Sequence, residues 1–555
     1  MERRLSFLQI LPATRLGAPA PGRMSHRVVL ALVVLGLLLP FLGKPFHIDD
    51  PVFLATARQI LAHPLDPYGF DFYWFDSPRR MWDLDPLNPP GMGYLLAPLI
   101  AMFGEREFPL HAVFLAFPVI AALCAYEIAR RFTPRALEAA LLFAAAPMFV
   151  VPATSVMADL PALACLLGSV ALLLSALEGR RGAAFLSGLA ASGAVLLKYT
   201  AALAIPVLAV CLVLLDPRPL RRVTVVLLPV LAMIGWEAVT FLQQGSSHLV
   251  EAAETSRATG LAAFEMILGA ATFLFLGMGS GPAILLGRLG RREGWIALCL
   301  GIPAGLGLMA LYGRAYAQYA GWGPLPLATA LAAAGGIALG CLAAREAFSR
   351  RGPGLFLLAW FLGGVAQVVL FGSFVSARYL LPALLPAILL LLPRGRAATV
   401  TGVGLAAALS LAVGFADLEL ARGYRDAAAS LHAQYGGPGG RLRYQGHWGF
   451  QYYMERHGAR PLYPEDVPAL EPGEIVAIPR EGSNVIHSLA AFQSWDGKRA
   501  MPERLLYLQG SWPVTAMSMQ TGAGFYCNFR APLPFSRGAY VVEQIKVLRI
   551  AEAPR

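Results

Sequence analysis

Charge is what this chain has least of. Only 14% of its 555 residues are Asp, Glu, Lys or Arg, and 57% are hydrophobic; a soluble globular protein carries roughly 25% charged residues. That shortage excludes an ordinary water-soluble enzyme and points to a polytopic membrane protein. Cysteine is scarce too. Cys124, Cys165, Cys211, Cys299 and Cys341 fall in apolar segments, only Cys527 lies in a polar stretch, and there is no CxxC. A disulfide framework in the polar part, and metal or redox chemistry through sulfur, are therefore not supported. The chain lacks GxSxG and HExxH, which leaves hydrolytic readings without a motif. It also lacks an internal repeat of the kind that marks many transporters. The net charge of +11 comes largely from short arginine groups between apolar runs. That is the distribution of loops beside anionic headgroups, not of a nucleic-acid-binding face.

What is present is a series of apolar segments. Taking about 20 residues per crossing, the runs predict some thirteen spans: 28–44, 109–130, 136–152, 157–177, 183–198, 200–215, 223–243, 262–286, 294–312, 325–343, 355–372, 379–393 and 398–415. Alternate loops read RRFTPR (130–135), GRRG (179–182), DPRPLRR (216–222), GRLGRR (287–292), REAFSRRG (345–352) and PRGR (393–396), and hold sixteen arginines. The intervening short loops hold lone cations, among them Lys198, Arg257, Arg314 and Arg378. The positive-inside rule makes the first set cytoplasmic.

Three regions follow: a cytoplasmic N-terminal tail (1–27), a transmembrane bundle (28–415) with a long first external loop (45–108), and an extracytoplasmic α/β domain (416–555). In the loop, DDPVFLATARQILA has near-helical apolar spacing and predicts a helix along the membrane surface. Phe72, Tyr73, Trp74 and Trp82 suit an interfacial belt. In the C-terminal part, 474–479 and 540–550 read as strands and 422–435 as a helix. The Arg, Ala and Leu usage suits a bacterial inner membrane.

The stretch HIDDP (47–51) places two adjacent carboxylates, Asp49 and Asp50, just beyond the first span. A third, Asp159 in VMADLPAL, opens the fourth span on the same predicted face. A carboxylate there also suits a plain helix cap. Lys198 in LLKYT and Arg378 in SARYLLPALLP sit at span ends on that face, where long cationic side chains also snorkel. Cations at headgroup level suit a lipid phosphate, and a carboxylate beside them suits deprotonation of an acceptor hydroxyl. Together they fit sugar transfer from a polyprenyl phosphate. A lipid-sugar flippase and a noncatalytic envelope scaffold remain as rival readings. Glu237, inside the seventh span, is a buried acid with a bundle Arg or Tyr as its expected partner.

The order of these motifs carries a resemblance. An acidic pair after the first span is followed by NPPGMGYLLAP (88–98), FG (103–104), MADLP (157–161), LLKYT (196–200) and ARYLLPALLP (377–386). This order resembles the integral-membrane C-type glycosyltransferases, in the branch of protein O-mannosyltransferases and lipid A aminoarabinose transferases. HWGFQYYMERHG (447–458) resembles the exported domain of bacterial members. The resemblance implies a helical bundle, a polyprenyl-phosphate-linked sugar donor, an inverting transfer, and a glycan, lipid or protein acceptor. It implies that Asp49 is the catalytic acid of the first loop and that Asp159 lines the same cavity. Asp50 stands where many members have Glu, a change that shortens reach by one methylene, and with Asp49 and Asp159 it completes the set of catalytic candidates. Lys198 and Arg378 match basic positions suited to the lipid phosphate. Some relatives use a divalent metal, for which His47, Asp83, Asp85 and His111 are the available ligands. Asn88, Pro89 and Pro90 read as structural, fixing an extended entry to the second span.

Overall fold

The computed structural model describes residues 23–74, 77–83, 88–251, 254, 263–288, 295, 299–300, 302–303, 305–307, 325–436, 441–482, 498–527 and 531–552. It is a helical membrane bundle with a C-terminal α/β domain. In chain order the helices are α1 (Met24–Leu38), α2 (Asp50–Ala62), α3 (Gly91–Phe103), α4 (Glu107–Phe114), α5 (Ala116–Ala129), α6 (Ala136–Ala144) and α7 (Pro147–Ala153). They continue with α8 (Asp159–Leu177), α9 (Ala183–Leu197), α10 (Ala204–Leu215), α11 (Thr224–Gln244), α12 (Ala263–Gly277), α13 (Gly281–Arg288) and α14 (Leu325–Ser349). The last four are α15 (Arg351–Phe371), α16 (Leu381–Leu391), α17 (Arg396–Tyr435) and α18 (Trp448–Arg456).

Among the described residues, seven helices are long and apolar enough to cross a membrane, or nine if each of two bent pairs is one span. Four shorter apolar helices accompany them. The segment 294–312 lies mostly outside the described residues. Both bends have local causes. The α6/α7 pair turns by 56° at Pro147, whose ring cannot continue the helix. The α12/α13 pair turns by 91°, where Gly279 takes φ +65 and packs so closely on Pro147 that a Cβ would lie 2.8 Å from its ring.

The arginine-rich loops gather at one end of the bundle. Arg131 pairs with Glu178, and Arg222 reaches Asp216 and the Ala176 carbonyl. Arg135 pairs with Glu138 and contacts the Pro393 carbonyl and Thr399. Glu346 draws in Arg288, Arg350 and Arg394. Arg27, at the start of α1, joins Glu127 at this end too. The first turn of α8 and the C-terminus of α9 therefore lie at the opposite end, and the site is built there.

The first loop and the C-terminal domain cover that opposite end. Helix α2 packs on α3 and on α18, and a hairpin of β1 (Asp71–Trp74) and β2 (Ser77–Arg80) follows it. Phe72, Tyr73 and Trp82 differ from the belt expected of them; the side chain of Trp74 lies outside the described residues. The first three are buried: Tyr73 packs among Tyr444, His447 and Tyr463, and Trp82 stacks on Trp236. Aromatic clustering of the loop, against the domain at Tyr73 and against α11 at Phe72 and Trp82, outweighs exposure to the interface. Asn88 and the two prolines form the entry to α3, with the Asn88 carbonyl accepting from Tyr68.

The expected boundary at residue 415 falls inside one continuous helix. Helix α17 runs for 40 residues, about 60 Å at 1.5 Å per residue. It leaves the bundle and becomes the spine of the C-terminal domain. That domain carries a five-stranded sheet in the order β4 (Arg460–Pro461), β3 (Leu442–Tyr444), β5 (Ile475–Pro479), β7 (Val541–Glu552), β6 (Lys498–Gln509). The pairing is parallel from β4 to β5 and antiparallel at β7. The expected strands at 474–479 and 540–550 coincide with β5 and β7. One apolar core runs unbroken from Leu30 in α1 to Val547 in β7, so the domain and the bundle share an interior.

Candidate functional site

HIDDP forms a tight turn between α1 and α2. Ile48 sits at φ 50, a conformation that β-branched residues rarely adopt. That strained residue turns the two carboxylates into different surroundings. Asp50 is fully buried. Its two oxygens accept the backbone N–H groups of His47 and Val156, each at 2.9 Å, so it ties the loop to the α7–α8 connection. Burial pushes its carboxyl up to about 7, against those hydrogen bonds. Asp49 keeps 24% of its side chain exposed.

Asp49 meets the other sequence candidates. Arg378 Nη1 donates to Asp49 Oδ2 at 2.6 Å and lies 3.6 Å from Asp159 Oδ2. Lys198 Nζ donates to Asp159 Oδ1 at 2.5 Å. Two carboxylates and two cations thus form one nearly neutral, mostly buried cluster. Tyr379 lies between the cations, with its ring 4.8 Å from Lys198 Nζ and 5.2 Å from the Arg378 guanidinium. The helix starts and ends explain the convergence. Asp159 is in the first turn of α8, Lys198 ends α9, and Arg378 is in a 3₁₀ turn, Ala377–Leu380, leading into α16. A cavity of about 20 Å³ lies beside Asp159, Lys198 and Arg378, lined further by Leu166, Leu381 and Pro382. It has room for about one water, so a phosphate enters only as these side chains move. Among the described residues Arg378 Nε is buried without a hydrogen-bond partner, which leaves that donor for a ligand.

A second buried cluster supports the first, and sequence reasoning missed it. Lys44 and Asp417 have no exposed side-chain surface and pair at 2.5 Å. Lys44 also donates to Thr154 and Ser155, at 2.9 and 3.0 Å. Tyr526 donates to Asp417 at 2.8 Å, and its ring lies 5.8 Å from the Arg378 guanidinium. The Phe525 carbonyl accepts from the Ala377 N–H and the Ser376 hydroxyl. The C-terminal domain therefore forms one wall of the site. Lys44, three residues before His47, and Asp417, a lone acid in GFAD, were available signals; nothing marked Tyr526.

The metal-ligand candidates do not converge. His47 is fully buried, with Nε2 3.6 Å from Asp417 Oδ1, and burial lowers its pKa. His111 Nδ1 bonds to the Glu107 carbonyl, Asp83 is exposed, and Asp85 lies outside the described residues, as do Arg257 and Arg314. Among the described residues no group of three or more His, Cys, Asp or Glu is arranged to hold a metal ion. Glu237 belongs to a separate cluster, accepting from Tyr199 and Ser247 at 2.5 Å each.

Comparison with known proteins gives three results. Residues 87–239 match the family of dolichyl-phosphate-mannose-protein mannosyltransferases. No curated protein matches. Among solved structures, the chain is similar to ArnT from Cupriavidus metallidurans bound to undecaprenyl phosphate (14% identity, TM-score 0.45, covering 95% of this chain and 98% of that one). It is also similar to the oligosaccharyltransferase AglB from Archaeoglobus fulgidus in complex with an inhibitory peptide and a dolichol-phosphate (13% identity, TM-score 0.43, covering 82% and 69%).

Proposed function

We propose that the chain is an inverting glycosyltransferase that moves a sugar from a polyprenyl-phosphate-linked donor to an acceptor hydroxyl at the extracytoplasmic membrane face. The observation that carries this reading is the Asp49–Arg378–Asp159–Lys198 cluster at the end of the bundle opposite the arginine loops. The family match over 87–239, which includes Asp159 and Lys198, supports it. The positive-inside rule assigns the arginine end to the cytoplasm and hence the cluster to the outside, where a lipid carrier supplies activation without a nucleotide.

The chemistry follows from the charges. Arg378 and Lys198 bind the donor phosphate, Arg378 through its fork and Lys198 as a point charge. Each leaves a carboxylate to do so. Asp49, held by Arg378 before the donor arrives, is then freed to accept the acceptor's hydroxyl proton. The acceptor oxygen bonds to the anomeric carbon from the face opposite the phosphate. The bond from that carbon to the phosphate oxygen breaks, and the lipid phosphate departs with the electron pair. A single displacement inverts the anomeric centre. Phosphate is a stable anion, so the leaving group requires cations rather than a general acid. Asp159 holds Lys198 in place until the donor phosphate takes it over.

The test is transfer of radiolabelled sugar from synthetic polyprenyl-phosphate sugars to an envelope extract, using the purified chain in nanodiscs. Label appearing in a donor-dependent product supports the reading. Absence of transfer from every mannosyl, glucosyl, galactosyl and aminoarabinosyl donor contradicts it.

A further inference from the structure

A second cavity lies away from the charge cluster. It has a volume of about 370 Å³ and is bounded by α2, the hairpin strand β1 (Asp71–Trp74) with the residue before it, and the C-terminal domain. That size falls within the ~300–1,000 Å³ of small-molecule sites. Arg58 and Gln59 line it from α2, Phe70 and Asp71 from the hairpin, and Glu455 and Tyr463 from the domain. None of these belongs to the reaction described above.

We infer that this cleft is a binding site for the saccharide part of the acceptor, an inference that rests on the transferase reading. Flat aromatic faces pack against the C–H faces of sugar rings, and planar carboxylate, amide and guanidinium groups pair with adjacent hydroxyls. The cleft presents both kinds of group. Two of its polar side chains have capacity to spare: Asp71 stands exposed, and Arg58 keeps 54% of its side chain exposed while its Nε holds Glu105; Gln59 Nε2 donates to the Asp66 carbonyl and leaves its amide oxygen to the cleft. An acyl chain would bury these charges without partners. An extended peptide would seek a strand edge, but the adjacent edge strand β4 is two residues long and ends in Pro461, which has no N–H to offer.

Position adds the length of the ligand. Helix α2 starts one residue after Asp49 and carries Arg58 and Gln59 two turns later, about 13 Å along the axis at 1.5 Å per residue. One sugar does not span that distance. The cleft therefore holds a saccharide of several residues, gripping it on one side while its reacting hydroxyl extends to Asp49. Since Glu455 and Tyr463 form one wall, the C-terminal domain sets acceptor choice.

The experiment probes an array of immobilised oligosaccharides, two to six residues long, with the fluorescently labelled full chain in nanodiscs. The variants are Asp71→Ala, Gln59→Ala and Asp49→Asn, each accepted only if it keeps the unfolding profile of the parent. A subset of glycans should bind the parent, and Asp49→Asn, at the reacting end, should weaken that binding less than either cleft variant. Asp71→Ala and Gln59→Ala should each weaken that binding at least tenfold. In transfer to the same glycans, the two cleft variants should raise acceptor KM tenfold or more, with kcat falling less than twofold. Binding of no glycan, binding unaffected by both cleft substitutions, or preferential capture of a peptide library would overturn the assignment. Cleft-dependent glycan binding without transfer from any donor would uphold the site and sink the transferase reading, so the two fail separately.

Discussion

Arg378 and Asp49 meet at 2.6 Å although 329 residues separate them in the chain. The pair joins the turn after the first span to the entry of α16. On the proposed mechanism it keeps Asp49 paired until the donor phosphate draws the guanidinium away. Donor binding and activation of the base would then be one event, and donor should bind before acceptor. Arg378→Lys keeps the charge but loses the fork. A lost hydrogen bond to a charged group is worth about 1.5–3 kcal/mol, so donor KM should rise by roughly ten- to a hundred-fold. Steady-state transfer kinetics with varied donor measure it; an unchanged donor KM would contradict the phosphate role.

The Lys44–Asp417 pair should behave as a structural lock between bundle and C-terminal domain. Asp417→Ala leaves Lys44 buried and unpaired, which should cost about 3–5 kcal/mol. The double variant Lys44→Met with Asp417→Leu removes both charges and should recover much of that loss. Unfolding of the three proteins in mixed micelles gives the comparison. A double variant no more stable than Asp417→Ala would mean that the buried Lys44 charge is not what makes the single substitution costly.

Tyr526 bridges this lock to the site. Tyr526→Phe removes the hydroxyl that bonds Asp417 but keeps the ring beside Arg378. It should lower stability by about 1.5–3 kcal/mol, since the acceptor is a carboxylate, and leave donor KM within a factor of three. Tyr526→Ala removes the ring as well and should raise donor KM severalfold. Equal kinetics for the two variants would show that the ring does not position Arg378.

Asp50 gives a pH signature. Its folded pKa, about 7, is above its unfolded value, so the native state binds the extra proton between about 4 and 7. Its contribution to stability is therefore largest below pH 4 and is lost as pH rises through 7. Asp50→Asn should flatten that fall. Thermal unfolding from pH 4 to 8 measures it, and parallel curves for parent and variant would contradict the assignment.

Much of this architecture was readable in the chain. Apolar runs located the bundle, and the arginine loops foretold which residues share an end, because both depend on local composition. Asp49, Asp159, Lys198 and Arg378 stood out because a charge at a span end requires a reason. Their pairing was not readable, since it depends on helix packing across hundreds of residues. The different surroundings of Asp49 and Asp50 depend on one strained backbone angle at Ile48. Tyr526 lay hidden because a tyrosine in a polar domain carries no local mark of what it will touch. The fusion of the last span to the C-terminal helix was obscured where the sequence turns polar at Asp417, although helical geometry continues.

The central claim is that Asp49 accepts the acceptor proton. The most direct measurement is the rate of sugar transfer by Asp49→Asn against the parent, with polyprenyl phosphate affinity determined on the same preparations. The account predicts a fall in kcat of about 10²- to 10⁴-fold, with lipid phosphate bound as tightly as before or more so, because Arg378 is released. Transfer within threefold of the parent would contradict it and remove Asp49 as the base.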